Sequence, residues 1–256
     1  MTTSTSEQMV RIETNLGNMT IKLYNETPLH RDNFIKLVND GTYNGLLFHR
    51  VIREFMAQGG DVTSKGAPMN KSLGAGDLGY TVPAEFVYPQ LFHKKGALCA
   101  ARTGDDGNPL KASSASQFYL ATGKKYSAGE LKQMEKQLAN RLLHSIFNRL
   151  QIENKDKVKA LYRSGDRDEM AIFKDTLIGR AELEAAERKA EACFTPEQIE
   201  AYTTVGGVPF LDNEYTVYGE VVEGLNILEQ IELLPTNGAD RPKSDVVINQ
   251  MVLLNA

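Results

Sequence analysis

The residues best suited to chemistry lie in the run FHRVIREFMAQGGD, from Phe48 to Asp61, where Arg50 is followed closely by Phe55, Met56 and Gln58. A guanidinium is a permanently charged, rigidly forked donor that cannot give up its proton. Set beside a large apolar cluster and an amide, it suits a neutral, partly apolar peptide ligand. On an ideal strand Arg50, Ile52 and Glu54 point to one side and Val51, Arg53 and Phe55 to the other. Gly59-Gly60-Asp61 is expected to close the run as a turn, so that a bend near Phe55 to Gln58 gathers Arg50, Phe55, Met56 and Gln58 on one surface. His49 is expected to face somewhat away from Arg50 and is a subsidiary site candidate.

Short strands must hold these groups. Val10 to Thr14 and Met19 to Tyr24 flank Asn15-Leu16-Gly17-Asn18, the pattern of a β-hairpin. Thr27-Pro28 then opens a helix with Phe34, Leu37 and Val38 on its buried stripe, stopped by Asn39-Asp40-Gly41. Further strands are expected at Gly96 to Arg102, Ser116 to Thr122, Thr216 to Val222 and Val246 to Leu254, with a second helix near Leu225 to Leu233. Many short strands and two helices point to a mainly β fold, a closed antiparallel barrel capped at its ends by the helices.

From about Lys124 to Gly206 strand signals give way to charge and alanine. Ser127 and Glu130 fit a capping box, and Leu131, Met134, Leu138, Leu142, Ile146 and Leu150 recur at helical spacing. This predicts one amphipathic helix of five or six turns, a second from Asp166 to about Ala192, and a third starting at Thr195-Pro196. Together they form an inserted α-helical subdomain over residues 124–206.

SQFYLAT (Ser116 to Thr122) and FLDNEYTVYGEVVEG (Phe210 to Gly224) follow the first run in order, with GALCAAR (Gly96 to Arg102) between the first two. These motifs resemble the signatures of the cyclophilins, peptidyl-prolyl cis-trans isomerases. The resemblance spans residues 9–123 and 207–254, implies eight strands, and leaves residues 1–8 as a polar tail. It implies that Arg50 is catalytic, that Phe55, Met56, Tyr119, Phe210 and Leu211 line a proline pocket, and that Gln58 and Gln117 anchor the substrate backbone and Arg50. Ala101 and Arg102 would form a groove edge that pairs with an extended peptide. Three positions depart from the commonest eukaryotic pattern: Phe210 replaces tryptophan, Tyr215 at the site replaces histidine, and Arg102 replaces asparagine. Losing an indole N–H donor implies weak cyclosporin binding.

The implied chemistry needs no cofactor. An X-Pro bond rotates over a barrier of ~18–20 kcal/mol. Its nitrogen becomes basic only when twisting removes resonance, so a donor aimed at it stabilises the transition state selectively. The implied partners are X-Pro peptides and unfolded or folding proteins. The alternative is a non-catalytic module that binds proline peptides and uses the helices as an interaction arm. Gln58 and Gln117 also have a plainer reading, as satisfiers of barrel backbone groups. The insertion either adds a client surface near the groove or is a self-contained decoration.

Composition excludes several other classes. With 41% apolar and 24% charged residues and a net charge of −4, the chain reads as a soluble globular protein with no pull toward nucleic acid. No apolar run approaches the ~20 residues of a membrane span, and the start MTTSTSEQ lacks secretory features, so a cytoplasmic protein is expected. Cys99 and Cys193 read as thiols of a reducing compartment. The four histidines, His30, His49, His93 and His144, are too scattered for a metal site. Gly74-Ala75-Gly76-Asp77-Leu78-Gly79 matches a dinucleotide-binding spacing, but no strand precedes it and Tyr80-Thr81-Val82-Pro83, not a helix, follows.

Overall fold

The computed structural model describes residues 7–254, so most of the polar tail expected over residues 1–8 lies outside the described residues. In chain order the first elements are β1 (Met9–Thr14), β2 (Gly17–Leu23), α1 (Pro28–Asn39), β3 (Arg50–Ile52), β4 (Met56–Gly59), β5 (Thr81–Val82), β6 (Ala97–Ala100), β7 (Ser113–Ser114) and β8 (Phe118–Ala121). Then come α2 (Ala128–Glu153), α3 (Lys155–Ser164), α4 (Arg167–Glu187), α5 (Pro196–Thr204), β9 (Val217–Glu223), α6 (Leu225–Glu232) and β10 (Ile248–Leu254). The chain divides into two compact units: residues up to Lys125 with those from Glu200 onward, and Tyr126–Ile199.

In the first unit eight strands form one antiparallel sheet in the order β10-β1-β2-β9-β6-β8-β4-β3. The curled sheet is not sealed by a regular ladder between β3 and β10. A single bridge, Leu47 to Val247, and the hydrogen bonds Phe48 N to Val246 O and Ile248 N to Leu46 O join its edges. Alternation in β1 turns Val10, Ile12 and Thr14 inward, and β2 adds Met19, Ile21 and Leu23. Phe118 lies edge-on to Phe34, Tyr43 and Phe48 at centroid distances of 5.8, 5.6 and 5.9 Å. Each such pair adds about 0.5–1.5 kcal/mol beyond area burial.

Every residue of β6 and β8 is buried, because these strands are covered on both faces. Leu98, Ala100, Phe118 and Leu120 join the barrel core. Their alternates Ala97, Cys99, Tyr119 and Ala121 join a second cluster with Met56, Val208 and Val217, against which Phe55, Ala101, Leu211 and Tyr215 pack. The pocket candidates therefore gather on the other side of the strands from the barrel core.

The run from Phe48 to Asp61 departs from the expected bent strand. It is a hairpin: β3 and β4 pair with Arg50 opposite Gln58 and Ile52 opposite Met56. The turn falls at Arg53-Glu54-Phe55 rather than at the glycines. Glu54 takes a left-handed φ of 56°, and its N–H donates to Glu232 Oε1 at 2.6 Å. A distant carboxylate holds a conformation that glutamate does not favour by itself. The β5–β7 ribbon, in which Thr81 pairs with Ser114 and Val82 with Ser113, has no counterpart among the expected strands.

The second unit is helical. Ser127 Oγ accepts from Glu130 N at 3.2 Å while Ser127 N donates to Glu130 Oε2 at 2.8 Å, closing a capping box at the start of α2. α2 runs 26 residues, longer than the five or six turns expected. Asp166 caps α4 through the N–H groups of Asp168 and Glu169. Ile146, Leu150, Leu177 and Ala181 form the core between α2 and α4. The second expected helix stops at Glu187, short of Ala192, and α3 is an additional helix that the periodicity does not announce. α3 ends at Gly165, whose φ of 71° is left-handed, as suits glycine after a helix.

Candidate active site

The pairing of β3 with β4 sets Arg50 beside Gln58, and that of β4 with β8 sets Gln58 beside Tyr119. A directional chain of amides orients the guanidinium. Gln117 Nε2 donates to the carbonyls of Gly74 (3.0 Å) and Gly76 (2.8 Å), which leaves its Oε1 to accept from Gln58 Nε2 at 2.9 Å. Gln58 Oε1 is thereby turned toward Arg50 Nη1, at 3.5 Å, and Arg50 Nε lies 3.5 Å from Asp240.

The Gly74–Gly76 loop is itself fixed by Asp61, whose carboxylate accepts from the N–H groups of Gly74, Gly76 and Thr63 and from the Thr63 hydroxyl. Burial would raise the Asp61 pKa, but these donors outweigh it and hold the carboxyl below its usual value. A Cβ at Gly76 would lie 2.1 Å from Asp61 Oδ1, so the loop's glycine there allows close approach to the carboxylate. Neither Asp61 nor this role for the loop is among the residues that sequence reasoning singles out for the site. A glycine-rich stretch with no helix after it is the available signal.

Arg50, Phe55, Met56, Gln58, Ala101, Arg102, Tyr119, Leu211 and Tyr215 line one open pocket of about 100 Å³. Tyr119 packs edge-on to Tyr215, and the Arg102 guanidinium covers the other ring of this wall, 4.4 Å from the Tyr215 centroid. Three sequence candidates sit elsewhere. Phe210, 46% exposed, is outside the pocket lining and stacks on Phe55 at 5.7 Å. Gln117 is buried behind Gln58. His49 lines a neighbouring cavity that shares Arg50 with the pocket.

The expected pairing of Ala101 with a peptide is corrected. Its N–H donates to Gln117 O and its carbonyl accepts from Ser114 N, so the chain already uses both groups. Among the described residues no backbone hydrogen bond engages the main chain of Arg102, which leaves that residue as the available edge.

The family model of the cyclophilin type peptidyl-prolyl cis-trans isomerase/CLD matches residues 9–182 and 195–253, most of the chain. The chain belongs to the cyclophilin family. It is 28% identical over 248 residues to a Staphylococcus haemolyticus protein named provisionally as a peptidyl-prolyl cis-trans isomerase, covering 96% of this chain and 91% of that relative. A similarly named Staphylococcus aureus protein is 27% identical over 246 residues, with the same coverage. The crystal structure of a Cryptosporidium parvum cyclophilin type isomerase covers 98% of this chain and 99% of its own, with a TM-score of 0.55 and 19% identity. A second structure of that protein, in the presence of the dipeptide Ala-Pro, matches with a TM-score of 0.54. These structures share the fold.

In this cyclophilin the pocket floor is tied down from behind. His93 Nδ1 lies 2.9 Å from Asp212 Oδ1 and its Nε2 lies 3.0 Å from the Tyr119 hydroxyl, so the ring bridges the two side chains by hydrogen bonds. Asp212 Oδ2 also accepts from the Tyr202 hydroxyl at 2.7 Å. Burial pushes the Tyr119 hydroxyl well above its ordinary pKa, so it stays neutral. Sequence reasoning finds Tyr119 but not His93 or Asp212, which are far from it in the chain. No group of three or more His, Cys, Asp or Glu among the described residues has metal-site geometry, and no helix among them is long and apolar enough to cross a membrane.

Proposed function

We propose that Arg50 is the catalytic residue of this isomerase and that the pocket of Phe55, Met56, Tyr119 and Leu211 receives the proline ring. Held there, the X-Pro bond is free to twist while Arg50 donates to the imide nitrogen as its lone pair becomes basic. The interaction is strong only in the twisted state and therefore lowers the barrier. Gln58 and Gln117 are positioning residues: they set the direction of the guanidinium so that little reorganisation is needed. Arg102 offers its backbone to the flanking peptide, and Phe210 and Tyr215 form the rim.

The observation that carries this reading is the one-way amide chain from Gly74 and Gly76 through Gln117 and Gln58 to a cation beside an apolar pocket. A module that only bound proline would have no use for a directed donor. The substrates proposed are exposed X-Pro bonds of peptides and folding proteins. The free thiols Cys99 and Cys193 suit a reducing cytoplasm. With no indole at Phe210, cyclosporin is expected to bind weakly, and nanomolar inhibition would contradict that expectation.

The test is the cis-to-trans rate of an Ala-Pro-Phe peptide. Arg50→Ala, shown to be folded by circular dichroism, should lose about 10²- to 10³-fold in kcat/KM, the usual effect of removing one directed donor. A folded variant that keeps its rate would remove Arg50 from the mechanism, and an inactive wild type would favour the binding module.

A further inference from the structure

Beside the proline pocket, and sharing Arg50 with it, is a cavity of about 290 Å³ lined by His49, Met69, Asn70, Lys71, Ser72 and Leu73 on one side and Asn237, Ala239 and Arg241 on the other. His49 is only 3% exposed, yet neither ring nitrogen has a well-formed hydrogen bond. A buried imidazole left without partners costs about as much as a lost hydrogen bond. The atom nearest the space a Gly74 side chain would fill is His49 Nε2, at 3.8 Å. An imidazole with unused hydrogen-bonding capacity therefore borders an open cavity.

The charged side chains of the lining are all cations. Arg241 is occupied, donating to Asp245 and to the carbonyls of Ala67 and Pro68, and Arg50 has Asp240 nearby. Lys71 differs. Its Nζ donates to the Thr63 carbonyl at 2.7 Å, and it makes no ion pair among the described residues. The nearby Asp61 carboxylate is committed to Thr63, Gly74 and Gly76. Burial pushes the His49 pKa down, outweighing the opposing pull of Asp61 and the Leu47 backbone, so near neutral pH the ring carries one N–H donor and adds no charge.

We propose that this cavity is a second subsite of the groove, taking an aspartate or glutamate side chain of the same peptide whose proline fills the first pocket. His49 N–H, the Ser72 hydroxyl and the Asn70 amide are the donors that would meet the carboxylate, and Lys71 supplies the charge. Because Arg50 borders both cavities, the acidic residue lies within one or two positions of the X-Pro bond, at about 3.3–3.6 Å per extended residue. Ala101 and Arg102 border only the first pocket, so this subsite serves the other flank of the peptide. The inference rests on the proline pocket proposed above.

Ala-Pro-Phe-type peptides that keep the proline and carry Asp, Asn or Lys in turn at the two positions before it and the two positions after it provide the test. At one position Asp should exceed Asn by about five- to tenfold in kcat/KM, mainly through KM, as expected for a charge-assisted hydrogen bond. That ratio should collapse in Lys71→Ala and invert in Lys71→Glu. Equal rates for Asp and Asn at all four positions, or a ratio that survives Lys71→Glu, would overturn the proposal. A second readout separates it from the isomerase reading: the ring NMR signals of His49 should shift when the Asp peptide binds, including in Arg50→Ala. A His49 ring that stays unmoved while the Tyr119 amide shifts would also overturn it. An inactive wild type whose His49 ring responds would keep the subsite and discard the activity.

Discussion

The barrel and the helical unit bury their apolar residues by different means. In the barrel, β6 and β8 are covered on both faces and the core is assembled from residues distant in sequence, with Val10, Phe118 and Ile248 in one cluster. In the helical unit, α2 buries only Leu131, Ile146 and Leu150 of its 26 residues, and Ile152, Tyr162, Ile172 and Leu183 are exposed. Its surface carries local ion pairs, Arg149 with Glu153 and Arg188 with Glu184 and Glu191. The barrel's side chains are thus each constrained by several elements, which suits a site needing fixed geometry. The pairing of α2 with α4 rests on a small apolar seam of Ile146, Leu150, Leu177 and Ala181, and the helix starts rest on caps.

The largest expected effects test that seam against the barrel core. Phe118→Ala, which removes the ring at the centre of three edge-on contacts, should cost about 3–5 kcal/mol in denaturant unfolding. Leu177→Ala should cost about 2–5 kcal/mol locally. By hydrogen exchange it should expose amides of α2 and α4 while β6 and β8 stay protected. Equal loss of protection in both units would end the distinction.

Next in size is the response to acid. Burial lowers the pKa of His30 and His49 in the barrel, despite the Glu85 carboxylate beside His30. Their folded pKa values lie below the unfolded value of about 6.5, so the unfolded chain takes up protons first. Barrel stability should therefore be complete above that pH and fall as the pH drops toward the folded values, by at most about 1.4 kcal/mol per pH unit for each histidine. The helical unit's histidine, His144, is exposed. A pH series of unfolding midpoints with exchange readout should show the barrel weakening first. A barrel indifferent to pH between about 7.5 and 5.5 would contradict the burial argument.

The smallest effect belongs to the surface pairs. Arg149→Gln is expected to leave the melting of α2 and α4 unchanged, because exposed ion pairs gain little and are screened by salt. A clear loss of stability that persists in high salt would show that Arg149 does more than pair at the surface.

Local signals in the chain carry much of this. The strict alternation in β1 and β2, the Ser127–Glu130 cap, the Asp166 cap and the Thr195-Pro196 start each depend on residues a few positions apart. The three motifs, in order, carry the family and bring Arg50, Phe55, Met56, Gln58 and Tyr119 to notice. Their types and spacing suffice to name an arginine donor and an apolar pocket.

What the sequence does not determine is where distant groups meet. The turn at Glu54 carries no turn residue and is held by Glu232, whereas turn chemistry alone points to the glycines after it. Asp61 organises the Gly74–Gly76 loop that aims Gln117, Gln58 and then Arg50, and His93 with Asp212 braces Tyr119 from another part of the chain. Ala101 proves already bonded, and the His49 ring proves buried without a well-formed hydrogen bond. Hydrogen bonds and burial are settled by neighbours in space, and in a barrel those neighbours come from strands far apart in sequence. The residue types are therefore legible from the chain, while their direction and availability are decided only by the fold.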